Sequence, residues 1–99
     1  MPFIEDWIAA LRSNEFTQTR EDYKQDDCYC AVGVGLYLLQ DKNFDYRDAV
    51  INKLRDEGMG WVSSHLFLDR VINWNDKDKL TFPQIADKIE EYINVTVSK

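Results

Sequence analysis

Apolar side chains return every three to four residues through most of this 99-residue chain, and that recurrence limits its architecture more than any other feature. Such spacing is the helix period; a half-buried strand would need strict alternation. Phe3, Ile4, Trp7, Ile8 and Leu11 share one side of a segment from Phe3 to Ser13, with Glu5, Asp6 and Arg12 on the other. The acids stand near the positive end of that helix and the arginine near the negative end, an order the helix dipole favours. Asn14 is the expected stop. The last segment is marked more sharply still. Thr81 and Gln84 are spaced as a capping box and Leu80 and Ile85 as a hydrophobic staple. Pro83 falls in the first turn, where its missing N–H is harmless. Phe82, Ile85, Ala86, Ile89 and Ile93 then keep the helical period.

Two more helices are expected between Asp45 and Asp76. Asp45 can cap the first of them, Asp48 stands at its third position, and Phe44 can staple onto Ala49. Ala49, Val50, Ile51 and Leu54 make its buried stripe, and Gly58 ends it. Met59-Gly60-Trp61 reads as a turn whose large ring packs. Ser63 or Ser64 then opens a helix that turns Leu66, Phe67, Val71 and Trp74 toward the core. Asn14 to Asp27 reads as a polar loop pinned by Phe16 and Tyr23. At that length it is long for a compact domain, and such loops are often functional.

The stretch from Cys28 to Gln40 supports two readings. Val32, Val34, Leu36 and Leu38 alternate as in a strand, yet the run is longer than ten residues and Asp26 or Asp27 can cap a helix. Gly33 and Gly35 weaken a helix by about 1 kcal/mol each but admit a close neighbour. A buried helix is the adopted reading, with Cys30, Gly33, Val34 and Tyr37 on one face. An α+β fold with residues 28–40 as a strand is the alternative. With only four glycines and two prolines there are few breakers. The expected architecture is therefore all-α: one helical domain over residues 1–99, of four or five short helices. Its core should hold Trp7, Leu11, Val34, Leu38, Val50, Leu54, Phe67, Val71, Phe82, Ile85 and Ile89.

Charge narrows the function. Twelve basic and eighteen acidic residues leave a net charge of −6, which argues against direct nucleic-acid binding, where cations must replace phosphate counterions. No apolar run approaches the roughly 20 residues of a membrane span, and the acidic start at Glu5 and Asp6 is unlike a secretory signal. A cytoplasmic location is expected. Cys28 and Cys30 are too few for a disulfide scaffold and too close to bridge each other readily, so both should be reduced thiols. With His65 they make three zinc ligands where a structural site wants four. Asn73 to Gln84 has the length of a calcium loop, but Lys77 stands at the fifth position, Asp78 at the sixth and Gln84 at the twelfth. No metal and no cofactor are expected. Cys30, activated by His65, is the one candidate nucleophile, and Asp26 and Asp27 oppose its thiolate. Glycine-rich phosphate loops and serine-nucleophile motifs are missing, and the scattered carboxylates pick out no acid–base pair. The balance falls on a protein that is not an enzyme.

Candidate ligand or partner residues fall in two places. Arg12, Gln18 and Arg20 flank the first loop as a polar, partly cationic rim suited to an anion or a nucleotide. Asn75 and Asp76 end one helix and can hydrogen-bond the turn before the next. Acidic groups cluster at Glu21/Asp22/Asp26/Asp27, Asp41/Asp45/Asp48, Asp56/Glu57 and Asp87/Glu90/Glu91. Such a surface suits a basic surface on another protein.

Three stretches carry a resemblance: Trp7-Ile8-Ala9-Ala10-Leu11-Arg12-Ser13 with Phe16 and Gln18; Tyr29-Cys30-Ala31-Val32-Gly33-Val34; and Asn75-Asp76 with Thr81-Phe82 and Ile85 to Glu90. Together they resemble a family of small phage- and prophage-encoded proteins of unassigned function. Relatives often carry a second cysteine where this chain has Ala31, a departure that weighs against paired-thiol chemistry. The resemblance transfers no catalytic residue. It implies the setting of a host bacterial cell and a protein that binds and alters host machinery, defence components included. The leading expectation is an acidic accessory protein that binds a host protein. The second is a binder that sequesters a nucleotide signal, working as a homo-oligomer; the third is an enzyme using Cys30.

Overall fold

Trp7 sits where the helices meet, and its contacts explain why they meet there. The computed structural model describes residues 2–19, 24–25, 28–40 and 47–96. Five helices lie among them: α1 (Pro2–Arg12), α2 (Ala31–Leu38), α3 (Arg47–Asp56), α4 (Trp61–Asp76) and α5 (Phe82–Thr96). Three two-residue strands precede α2: β1 (Thr17–Gln18), β2 (Lys24–Gln25) and β3 (Cys28–Tyr29). The fold is an all-α single domain. The Trp7 indole N–H donates to the Ala31 carbonyl at 2.9 Å, so the one polar atom of the ring is satisfied inside the core. The ring lies against Gly35, where a Cβ would come within 3.1 Å of Trp7 Cε2. The glycine that weakens α2 thus lets the indole close on the helix backbone. Phe3 and Phe67 pack on the same ring with centroids 5.5 and 6.0 Å away.

Of the eleven expected core residues, ten are buried; Leu38 is only half-buried, at the end of α2. The helix reading of the central stretch holds, with a later start. Cys28 and Tyr29 pair in parallel with Thr17 and Gln18 and antiparallel with Gln25 and Lys24, in the order β1-β3-β2. A helix cannot begin until that ladder ends. Cys30 then serves as the N-cap, its Sγ accepting from the Gly33 N–H at 3.3 Å. Asp26 and Asp27, the expected caps, lie outside the described residues, as do Arg20, Tyr23, Phe44 and Asp45. The expected loop from Asn14 to Asp27 contains β1 and β2. Phe16 anchors it, edge-on to both Tyr29 and Tyr37. Tyr37 keeps the helical spacing that puts it on the side of Gly33 and Val34, but with its ring against Phe16 and Tyr29 it is half exposed and not buried.

Both helix stops work as their residue types predict. Asn14, just past α1, takes φ +62°, a left-handed conformation that asparagine tolerates. Gly58 takes φ +107°, with its N–H on the Arg55 carbonyl and the Met59 N–H on the Leu54 carbonyl. That pair of bonds is a Schellman motif, and buried Met59 and Leu54 supply its apolar contact. The motif turns the chain early, so α4 starts at Trp61 with Gly60 as N-cap, not at Ser63 or Ser64. Met59 is the side chain that packs; Trp61 and Leu66, both expected inside, are on the surface. The α5 start follows the capping box: the Thr81 N–H donates to Gln84 Oε1 at 2.9 Å and the Gln84 N–H to Thr81 Oγ1 at 3.4 Å.

Candidate interaction surface

Gln18, Asn75 and Asp76 are brought to one place. Asn75 is the last-turn residue of α4 and only 1% exposed. Its Oδ1 accepts from Gln18 Nε2 at 2.8 Å and from the Ala31 N–H at 3.2 Å. Its Nδ2 donates to the Thr19 carbonyl at 3.0 Å and to Asp76 Oδ1 at 2.8 Å. Gln18 Nε2 also donates to the Leu80 carbonyl at 2.7 Å. The Asn75 amide thus ties β1 and the start of α2 to the end of α4, and Gln18 carries the tie on to the α4–α5 turn. The four hydrogen-bonding positions of Asn75 are all used within the chain. Arg12 is held elsewhere. Its guanidinium donates to Asp87 at 2.6 Å and pairs with Glu90 at 3.4 Å, both on α5. The Asp87 hydrogen bond is the main cause that raises the arginine's pKa above its ordinary value. Arg20 lies outside the described residues, so the rim is seen only as Arg12 clasping α5 and Gln18 clasping Asn75.

Cys30 is buried, and burial pushes its thiol up to about 11 against the lowering effect of the Gly33 N–H. The helix-start position that favours a thiolate is outweighed by loss of water. His65 packs its ring on Trp61, with centroids 4.4 Å apart. Among the described residues, no group of three or more His, Cys, Asp or Glu is placed to hold a metal ion. No helix among them is long and apolar enough to cross a membrane.

The charges are sorted by element. The packed pair α1 and α5 carries Glu5, Asp6, Asp87, Glu90 and Glu91 against Arg12 and Lys88. The pair α3 and α4 carries Asp48, Asp56, Asp69 and Asp76 against Arg47, Lys53, Arg55 and Arg70. One side is acidic by three and the other is balanced. Glu57, which the sequence places in an acidic cluster, is withdrawn from the surface. Its carboxylate accepts from the Phe3 N–H at 2.9 and 3.2 Å, capping α1 from the end of α3. This is the favoured sign of charge at a helix N-terminus.

On the balanced side the start of α4 exposes Trp61 (57%), Val62 (62%) and Leu66 (55%). A groove of about 490 Å³ runs beside them, lined by Asn52, Arg55, Asp56, Met59, Gly60 and Trp61. Sequence reasoning missed this face because it counted Leu66 with the core. The signal was available: Ser64, Phe67, Leu68, Val71 and Asn75 form the buried stripe of α4, and positions 62 and 66 lie off it.

A small all-helical domain with one acidic side and one neutral, partly apolar side is the class that these observations define. The chain belongs to a family described as a domain of unknown function (DUF8296), whose model matches residues 3–86. No curated protein and no solved structure matches it.

Proposed function

We propose that this chain is a non-enzymatic interaction protein whose acidic α1–α5 side binds a basic surface on another protein. The observation that carries the proposal is the sorting of charge: the acids that survive internal pairing, Glu5, Asp6 and Glu91, are exposed on α1 and α5. Complementary potential steers association and selects partners. The phage-type resemblance makes the partner a protein of a bacterial host, and binding alters what that protein does. Cys30, the candidate nucleophile, is held protonated in the core. Gln18, a candidate for the nucleotide rim, and Asn75, a separate candidate ligand residue, have their amides engaged within the chain.

The test is capture from a bacterial lysate at low and at high salt, beside the triple variant Glu5→Lys/Asp6→Lys/Glu91→Lys. One partner retained at low salt, released by salt and lost by the variant is the expected result. Capture that survives both salt and charge reversal would remove the acidic side from the function. A thermal shift with a nucleotide panel is the complementary measurement: a ligand at about 100 times its dissociation constant adds about 2.7 kcal/mol, and a shift of that size would favour a ligand-binding role.

A further inference from the structure

The neutral side calls for its own occupant. Exposed Trp61, Val62 and Leu66 form a contiguous apolar face on the first turns of α4, and isolated exposure does not account for three such neighbours. Trp is also the residue type most enriched among the energetic centres of interfaces. A strongly basic partner gains nothing here, because the adjoining groove carries Arg55 beside Asp56 and the α3–α4 pair is balanced. A second copy of this chain gains something specific. Two molecules of charge −6 repel wherever acidic sides face each other, and least where the local charge cancels.

We propose that the start of α4, with the groove beside α3, is where two copies of this chain meet about a two-fold axis. In such a contact the same patch serves both partners, and any pair i–j occurs again as j–i. Arg55 of each copy faces Asp56 of the other, so neighbouring opposite charges become two intermolecular pairs. Trp61, Val62 and Leu66 close over each other, and the ring of His65 packs on Trp61. Three side chains on each copy cover only part of the roughly 1,200 Å² that a stable interface buries, so the α3 groove must contribute the rest. The dimer is accordingly a modest, concentration-dependent one. It leaves α1 and α5 of both copies outward, and the acidic side is presented twice.

Sedimentation equilibrium of the full chain over a wide concentration range tests this. A monomer–dimer equilibrium is expected, weakened at least about tenfold in dissociation constant by Leu66→Glu, an exposed position whose variant should keep its far-UV spectrum. Arg55→Asp and Asp56→Arg should each weaken the dimer, and the two together should restore it. Salt screens the net repulsion and the two Arg55–Asp56 pairs alike, so the dimer should respond to salt far less than capture by the acidic side does. A chain that stays monomeric at every concentration would overturn the proposal, including when a different protein covers Trp61. So would a dimer indifferent to Leu66→Glu. Either result leaves the acidic-side function standing on its own test.

Discussion

Asn75→Asp separates a buried hydrogen-bond hub from a merely buried polar residue. The substitution keeps the acceptor that serves Gln18 Nε2 and the Ala31 N–H. It removes the donor that serves the Thr19 carbonyl and Asp76 Oδ1, at 3.0 and 2.8 Å, and puts a carboxylate oxygen against both. Two like-signed oxygens within hydrogen-bond distance of a buried carboxylate should cost about 3–5 kcal/mol near neutral pH, the range for an uncompensated buried charge. Asn75→Ala orphans the Ala31 N–H instead and should cost about 1–3 kcal/mol. Against a total stability of about 5–15 kcal/mol, either loss is measurable. Acid should reverse the order of severity. Burial and the facing oxygens raise the new carboxyl's pKa above its unfolded value. Its neutral form is therefore the stable one in the fold, and the deficit grows as pH rises through the raised pKa. Protonated, the group can donate to Thr19 again. Urea unfolding followed by tryptophan fluorescence at a series of pH values measures the deficit of each variant against the parent. An Asn75→Asp protein as stable as the parent near neutral pH, or with one constant deficit at every pH, would refute the reasoning.

Ser64 Oγ is fully buried and has no hydrogen-bond partner among the described residues, so Ser64→Ala should raise stability by about 1 kcal/mol, seen as a higher thermal midpoint. Gly35→Ala puts a methyl 3.1 Å from the Trp7 ring; overpacking of about 1–3 kcal/mol should outweigh the roughly 1 kcal/mol gained in helix propensity, with a changed near-UV tryptophan signal. The Cys30 thiol, raised from 9.0 to about 11, contributes stability that is complete below the lower value and lost on the way to the higher. A loss of about 2–3 kcal/mol across that interval should appear in urea midpoints and vanish in Cys30→Ala. In the parent protein near neutral pH, half-buried Cys28 should alkylate before Cys30.

Legibility followed the range of the interactions. The capping box at Thr81 and Gln84, the stop at Gly58 and the core stripe of α5 depend on neighbours a few residues away, and the chain displays them openly. The start of α4 depends on how the Schellman motif aims the chain, and a good N-cap residue such as Ser63 does not reveal that the helix has already begun at Trp61. β1 and β3 were illegible for another reason. Two-residue strands have no period to detect, and their pairing joins Thr17 to Cys28 across a polar stretch. Cys30 as N-cap follows from that pairing and could not have been seen without it.

The same distinction explains why the polar residues singled out by type turned into ties between distant segments. A polar side chain in a helical chain can serve solvent, a ligand or another part of the backbone, and its identity does not say which. Gln18 reaches a residue 57 positions away, and Arg12 reaches one 75 away. Phe3 and Glu57, 54 apart, close α1 with a carboxylate that any count of surface acids would include. A domain of this size has a small core and few backbone ladders outside its helices, so such long-range polar ties fix how the elements are placed. What remains unspent after those ties is a shorter and more informative inventory: acids on α1 and α5, and an apolar, charge-balanced face at the start of α4. The two remainders differ in chemistry and lie on different helices. Salt should therefore weaken capture by the acidic side far more than it changes the dimer, and one salt titration read by both capture and sedimentation distinguishes a protein with two working faces from one with a single face.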